Sequence, residues 1–201
     1  MTTKNYFMRS FNFILNLLLI APILCLFGWL FNCVSIQLNT ITLLNLETVK
    51  TITDKISSIN YELALICLFL SLLLIGIEIV KRWKIDRLEN YVKSVYYTFS
   101  LRNFLFQREK VQKVANSEHQ TVSTLNPVNN GFNRAVRKCI VDIQTDSVTI
   151  FVKVPRDQQG QKILKDMETQ LKEEIASQHT DYYFSSPTRV RNQLWLIGKK
   201  R

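Results

Sequence analysis

Two long apolar stretches near the N-terminus constrain this chain more than any other feature of its sequence. The first runs from about Phe11 to Val34, and the second runs from Leu63 to Val80. A helix needs about twenty mainly apolar residues to cross a hydrocarbon core of roughly 30 Å, and both stretches are close to that length. The sequence therefore predicts a transmembrane hairpin over residues 1–80, with an external loop at 35–62.

The first stretch is expected to be a retained helix rather than a cleaved signal peptide. Its apolar part exceeds the usual length of a signal sequence, and no Ala-x-Ala-like cleavage site follows it. The external loop has apolar residues at Leu43, Leu44, Val49 and Ile52. This spacing is compatible with an amphipathic helix on the outer surface of the membrane.

The basic residues that flank the two spans predict their orientation. Lys4 and Arg9 precede the first span, whereas a basic and aromatic segment follows the second. Cytoplasmic flanks carry an excess of Lys and Arg, and Trp is enriched at the interface. Both termini are therefore predicted to be cytoplasmic. The predicted membrane interface consists of Lys81, Arg82, Trp83 and Lys84.

Charge is distributed unevenly along the chain. Acidic and basic side chains balance over residues 1–80, so the formal net charge of +10 lies entirely after them. An ionisable group inside a span is by default a functional-site hypothesis, and Glu78 is such a group. A less specific interpretation is that Glu78 lies one turn from the boundary and reaches the headgroups or Arg82.

Apolar residues recur at alternating intervals of three and four after the second span. This pattern is typical of a helix that buries one seam, and it predicts a basic helical stalk over residues 81–114. Self-association through the seam is the preferred interpretation, and a helix lying along the membrane from about residue 95 is the alternative. The predicted oligomerisation residues are Ile85, Leu88, Val92, Val95 and Phe99.

The rest of the chain predicts a linker at 115–133 and a small folded domain at 134–201, because Asn-Pro and Asn-Gly interrupt the linker. Alternating apolar residues predict strands at 134–143 and 147–154, and a helical period over 158–177 follows Asp157, a good N-cap. Two further short strands are predicted at 181–185 and 193–198. The fold class is thus an α+β membrane protein: a two-helix transmembrane hairpin, a helical stalk and a small ββαββ cytoplasmic domain.

No motif of a known chemistry is found along the chain. Phosphate-binding glycine loops, His-Glu-x-x-His and Cys-x-x-Cys motifs are all missing, and His119 and His179 are isolated, which favours a solvated or capping role. We therefore expect no catalytic residues, no cofactor and no metal.

One constellation of basic residues with a tryptophan is a candidate surface for binding nucleic acid or a protein partner. Cations bind the phosphate backbone and an aromatic ring stacks on bases. The alternative is that the tryptophan is core and the cations are solvated residues of sheet edges. The residues are Arg134, Arg137, Lys138, Arg189, Arg191, Trp195, Lys199, Lys200 and Arg201.

The order of two spans, a stalk and a small domain with the phrase VTIFVKVP at residues 148–155 resembles a known arrangement. It is similar to the membrane-anchoring N-terminal part of FtsK-like and conjugative coupling ATPases of Gram-positive mobile elements. In such proteins a motor domain with a phosphate-binding loop follows, and this sequence contains neither. The resemblance implies an anchor or adaptor that works with a separate motor ATPase.

The function predicted from the sequence is that of a non-enzymatic membrane scaffold. Membrane lipid and a homo-oligomer are the expected partners, together with a motor ATPase or other proteins of a conjugative DNA-transfer or envelope-associated machine. Nucleic acid is a further candidate partner. The alternative is a small two-span membrane effector, for example in phage defence, whose cytoplasmic domain senses a ligand. Asn12, Asn16 and Glu78 are the polar residues available to line a pore in that case.

Overall fold

The computed structural model describes residues 4–38, 47–108 and 127–201 of this chain. The described residues divide into two compact units, which meet in sequence between Lys81 and Arg82. The first unit consists of two long helices, α1 (Tyr6–Leu38) and α2 (Glu47–Ile85), and the last turn of α2 belongs to the second unit.

Each long helix buries residues at intervals of seven. A seven-residue repeat keeps one seam facing its neighbour, and small residues in the seam let two backbones approach closely. The Ser57 hydroxyl donates to the Gly28 carbonyl at 2.8 Å, and the Ser35 hydroxyl donates to Asp54. These bonds hold α1 and α2 side by side in opposite directions. The seam residues are Phe7, Ile14, Ala21, Gly28 and Ser35 in α1, and Ser57, Ala64, Ser71 and Glu78 in α2.

In the apolar stretches of both helices, most residues outside this seam are exposed. Both are long and apolar enough to cross a membrane, and large side chains such as Leu65, Phe69 and Leu72 are exposed on their outer faces. The core helix of a water-soluble domain buries such side chains instead. The structure therefore has two candidate membrane spans at the predicted positions.

The predicted external segment at 35–62 is helical over its described residues, and its position outside the membrane stays a prediction. Residues 35–38 belong to α1, and residues 47–62 belong to the same continuous helix as the second span. No Pro or Gly interrupts the chain between Glu47 and Ile75, and the bonds of Asp54 and Ser57 tie this part of α2 to α1. Val49 and Ile52 are therefore not on a separate surface helix, and Leu43 and Leu44 lie outside the described residues.

The second unit contains an antiparallel sheet of five strands. They are β1 (Ile140–Ile143), β2 (Ser147–Lys153), β3 (Tyr182–Phe184), β4 (Thr188–Val190) and β5 (Gln193–Lys200). The order across the sheet is β1-β2-β5-β3, and β4 also pairs with β5. The small antiparallel sheet of the prediction is confirmed, with β4 as an additional strand.

Four helices accompany the sheet: α3 (Leu88–Leu105), α4 (Pro127–Val136), α5 (Gln158–Asp166) and α6 (Glu168–Gln178). Apolar residues of all four pack on the sheet face that carries Val148, Ile150 and Leu196. The Asp157 carboxylate accepts a hydrogen bond from the Gly160 amide at 2.7 Å, so the predicted N-cap is confirmed. The predicted helix over 158–177 is also confirmed, although Met167 divides it in two.

The predicted stalk is wrong in its described part. Helix α2 ends at Ile85, Asp86 and Arg87 are not helical, and α3 packs along β1 instead of projecting from the domain. The Asp86 carboxylate accepts a hydrogen bond from the Thr145 amide at 3.0 Å, which holds the break between the helices against the β1–β2 turn.

The predicted linker and first strand also need correction. Residues 127–136 form α4, and β1 begins only at Ile140, whereas residues 115–126 lie outside the described part of the chain. Pro127 was interpreted as a sign of irregular structure. It is instead the first residue of α4, where a missing N–H and a fixed φ favour a helix.

Candidate functional site

Small polar residues of α3 occupy the free edge of β1. The Ser94 hydroxyl accepts from the Ile143 amide at 2.9 Å, and the Thr98 hydroxyl accepts from the Val141 amide at 3.0 Å. Each hydroxyl also donates to a carbonyl of its own helix four residues earlier. An unpaired buried backbone amide is costly, so these bonds supply what a neighbouring strand would supply.

The geometry of a helix and a strand explains the spacing of these contacts. Four residues of helix rise about 6.0 Å, and two residues of strand rise about 6.6 Å. Side chains four apart on α3 therefore meet backbone groups two apart on β1. Arg102 continues the series, because its Nε donates to the Cys139 carbonyl at 2.9 Å. Ser94, Thr98 and Arg102 are called the edge ladder below.

A buried ionic cluster lies at the other end of α3. Arg82, in the last turn of α2, bonds to the Asp142 carboxylate and donates to the Ile143 carbonyl at 2.8 Å. Its guanidinium also lies 3.6 Å from Asp86. The side chains of Arg82 and Asp142 are 6% and 1% exposed. A charge is tolerated at this burial only when it is paired and hydrogen-bonded, as both are here.

Hydrogen bonds keep Asp86 ionised within this cluster. Burial alone would raise the pKa of this carboxyl. Bonds from the Thr145 side chain and amide, the Arg87 backbone and the Asn90 side chain outweigh burial, so the pKa of Asp86 lies below its ordinary value. The cluster thus combines one cation with two carboxylates at the junction of α2, α3 and the β1–β2 turn.

The contacts of this ionic cluster indicate a structural role. Arg82 and Asp142 are buried, and their polar atoms bond to each other and to β1. Among residues 4–38, 47–108 and 127–201, no group of three or more His, Cys, Asp or Glu side chains is placed to hold a metal ion.

The basic constellation predicted from the sequence does not form one site. Arg189 and Arg191 lie at the end of β5 that begins with Gln193, whereas Lys199 and Lys200 lie at its other end. Six residues of strand separate these ends, which is roughly 20 Å. Arg134, Arg137 and Lys138 are exposed at the end of α4 and in the turn before β1. Arg201 follows β5, and its amide donates to the Asp181 carbonyl at 3.0 Å.

Trp195 is a core residue, as the alternative interpretation of the basic constellation predicted, and it is therefore not available to a ligand. Trp195 is 1% exposed and packs edge-on against Phe151 with 5.1 Å between ring centroids. These two residues are paired neighbours on β5 and β2, and they share the sheet face opposite Val148 and Ile150. A ring buried in this way cannot stack on a base. The cations of the constellation are exposed, and their partner stays a prediction.

The four predicted interface residues divide into two groups. Trp83 is exposed, Lys84 is exposed, and the Lys81 ammonium lies 4.0 Å from the centroid of the Tyr6 ring. Arg82 is a correction, because its side chain is buried against Asp142 and is not available to a headgroup. The Arg82 side chain points into the domain because the Asp142 carboxylate, on the edge strand β1, is its ionic partner.

The residues of the predicted oligomerisation seam do not all lie on the exposed surface of one helix. Ile85 is the last residue of α2, and Val95 is half-buried. The exposed apolar residues of α3 are Leu88, Val92, Tyr96 and Phe99, called the outer face below, and they are 46%, 67%, 68% and 46% exposed. The predicted continuous helix carrying a seam over 85–99 is wrong because the helix breaks at Asp86 and Arg87. Self-association itself stays a prediction.

His179 was predicted to be solvated or capping. It is the C-cap residue of α6, where its amide donates to the Ile175 carbonyl at 3.1 Å, but its side chain is buried among aromatic rings and not solvated. Its imidazole lies 4.4 Å from the Tyr97 ring, with Tyr182 and Phe184 at 6.4 and 6.1 Å between centroids. Burial disfavours the charged imidazolium and lowers the pKa of His179 to about 4. His119 lies outside the described residues.

An open cavity of about 320 Å³ lies beside this aromatic cluster, between α6 and the β3–β4 connection. Its floor is apolar, with Ile175 and Leu196, and Lys172 and Arg201 stand on its rim. The Lys172 ammonium is 3.1 Å from Glu168, so this cation is already paired within α6.

The edge ladder and the ionic cluster were not predicted from the sequence. The available signal was the recurrence of polar residues at Asn90, Ser94 and Thr98, four apart and opposite the apolar seam. The apolar stripe was interpreted as the buried seam of the helix. The structure instead buries the polar stripe and leaves Leu88, Val92 and Phe99 exposed.

Comparisons with known proteins identify no relative of this chain: no family model, no curated protein and no solved structure matches it. The resemblance to coupling ATPases stays a prediction.

Proposed function

We propose that this chain is a non-enzymatic membrane scaffold. In this proposal α1 and α2 insert as a hairpin with both termini in the cytoplasm, and residues 82–201 form a basic domain that binds a protein of an envelope-associated machine. A conjugative DNA-transfer machine with a separate motor ATPase is the most specific form of the proposal.

The observation that carries the proposal is the composition of the α1–α2 pair. Its inner seam consists largely of small residues, with Gly28 accepting a hydrogen bond from Ser57, while its outer surface is large and apolar. Helices associate in this way in lipid, where burial of apolar surface gives no advantage and close packing and hydrogen bonds hold helices together. The basic flanks favour the cytoplasmic side for both ends.

The distribution of buried and exposed charged side chains in the domain supports the scaffold role. Its buried charges, Arg82 and Asp142, bond to each other within the fold, whereas the cations of the basic constellation are exposed. Basic groups that remain exposed on a folded domain are suited to a partner with acidic character. A self-contained membrane effector is the competing function, and it needs no protein partner.

The experiment is purification of the tagged full-length protein from its native host in mild detergent, with mass spectrometry of the proteins that accompany it. Co-purification of a motor ATPase or of DNA-processing proteins in fixed ratio is the expected result. The variant Lys199→Glu/Lys200→Glu tests one end of β5, and Arg189→Glu/Arg191→Glu is its matched control at the other end. Loss of the partner in one variant assigns the binding surface.

A homo-oligomer that arrives alone contradicts the scaffold proposal and favours the membrane effector. Release of the protein from membranes by alkaline carbonate contradicts membrane insertion itself.

A further inference from the structure

The outer face of α3 is an apolar surface on a helix whose other side is already packed. Ser94, Thr98 and Leu101 on the inner side are buried against β1 and the core. On the outer face, Val92 and Tyr96 expose about two thirds of their surface. A helix that is bonded on one side and apolar on the other has two contact surfaces, and the second is not explained by the fold of the domain.

The composition around this face indicates its partner. Trp83 is exposed just before the face begins, and the basic side chains of Lys84, Arg87 and Lys93 are exposed around it. Glu89 is the exposed acidic side chain of the same segment. Aromatic and aliphatic residues surrounded by Lys and Arg are typical of helices that lie in the headgroup region of an anionic leaflet.

The position of the face along the chain agrees with this partner. Leu88 follows Val80, the end of the second predicted span, by only eight residues, and the first five of them belong to α2. The polar headgroup layer begins where the hydrocarbon core ends, so a face so close in sequence to a span is within reach of it.

We propose that the outer face of α3 is a lipid-binding surface that inserts Leu88, Val92, Tyr96 and Phe99 into the headgroup region of an anionic membrane. This inference rests on the proposed function, because it requires α1 and α2 to be membrane spans. A second copy of the chain is the competing occupant. It would bring its own Lys84, Arg87 and Lys93 against the same cations, whereas anionic lipid complements them.

The test uses the full-length protein in lipid nanodiscs, with the four native cysteines replaced by Ala and one new cysteine carrying a nitroxide. Val92→Cys and Tyr96→Cys probe the outer face. Leu72→Cys, exposed on α2, is the control for lipid, and Glu173→Cys, exposed on α6, is the control for water. Oxygen, which concentrates in lipid, and a water-soluble nickel chelate are compared as relaxing agents.

In discs that contain phosphatidylserine, the labels at positions 92 and 96 are expected to be relaxed more by oxygen than by nickel, as at position 72. In phosphatidylcholine alone they are expected to shift toward the behaviour of position 173. If nickel reaches the labels at 92 and 96 in the anionic discs while the label at 72 is in lipid, the proposed lipid-binding surface is overturned but the proposed membrane insertion is not. Dipolar broadening between copies at 92 would assign the face to self-association. Nickel access at 72 would instead contradict the proposed membrane insertion.

Discussion

The buried pair of Arg82 and Asp142 gives the sharpest test of how this domain is held together. The change is Arg82→Met, which keeps the aliphatic volume of the side chain and removes its charge. It leaves the Asp142 carboxylate, 1% exposed, without its cation, and it removes the donor to the Ile143 carbonyl. Removing one partner of a buried ion pair costs about 3–5 kcal/mol, because the remaining charge stays buried.

The assay is thermal unfolding of the full-length protein in detergent, followed by tryptophan fluorescence, to which the buried Trp195 contributes. For a domain of this size, 1 kcal/mol corresponds to about 4 °C in Tm, so Arg82→Met should lower the Tm by about 12–20 °C. Asp142→Leu should cost less, because Arg82 keeps Asp86 at 3.6 Å. The double variant should recover the part of the loss that comes from Asp142. Asp86 then remains without the cation but keeps its hydrogen bonds from Thr145 and Asn90.

Lys172→Met is the matched control, because Lys172 pairs with Glu168 at 3.1 Å in the same domain but their side chains are 47% and 34% exposed. An exposed pair contributes about 0–1 kcal/mol. The reasoning is refuted if Arg82→Met and Lys172→Met shift the Tm equally, or if the losses of the Arg82 and Asp142 variants simply add.

Three further predictions concern the domain that begins at Arg82. Burial lowers the pKa of His179 to about 4 from an ordinary value of 6.5, so its contribution to stability is complete above pH 6.5 and is lost as the pH falls toward 4, by up to about 1.4 kcal/mol per pH unit. Urea unfolding at several pH values should show this dependence of the free energy of unfolding on pH. The same dependence in His179→Gln would contradict the prediction. Thr98→Val should lower the free energy of unfolding by about 1–3 kcal/mol and speed hydrogen exchange of the Val141 amide. Thr188 is exposed, so the control Thr188→Val should change the free energy of unfolding by no more than about 0.5 kcal/mol. Equal exchange of the Val141 amide in both variants would exclude the edge ladder. Gly198→Ala would place its Cβ 2.7 Å from the Phe184 ring and should cost about 1–3 kcal/mol in the same unfolding assay, a prediction that fails if Gly198→Ala is as stable as the parent.

The regular parts of this fold were predictable because their signals are local. Alternation along residues 147–154 marks β2, and the helical period after Asp157 marks α5 and α6 with their cap. The long apolar stretches mark the two candidate spans. In each case the spacing of apolar residues in the sequence agrees with the environment of those residues in the structure.

The prediction failed where the environment of a side chain is decided by a distant element. Asp142 lies on a strand of otherwise apolar character, and nothing near it in sequence says that Arg82, sixty residues earlier, will meet it. The same holds for Trp195, which the sequence places among cations and the fold places against Phe151. At both positions the neighbours in sequence give no sign of the partner, which is Arg82 for Asp142 and Phe151 for Trp195.

The reversal of α3 follows from the needs of a strand edge. A helix beside a sheet face is expected to present apolar residues, but beside an open edge it meets backbone donors and acceptors that must be satisfied. Hydroxyl groups four residues apart match backbone groups two residues apart on β1, so Ser94 and Thr98 are the inner side of α3, and its apolar residues remain outside. The covering of the edge accounts for the inward polar stripe, and the proposed contact with lipid would account for the outward apolar stripe. If that is correct, replacing the outer face with polar residues should leave the Tm of the domain unchanged in detergent while abolishing its contact with anionic bilayers. A matching loss of Tm would show that the outer face also contributes to the fold.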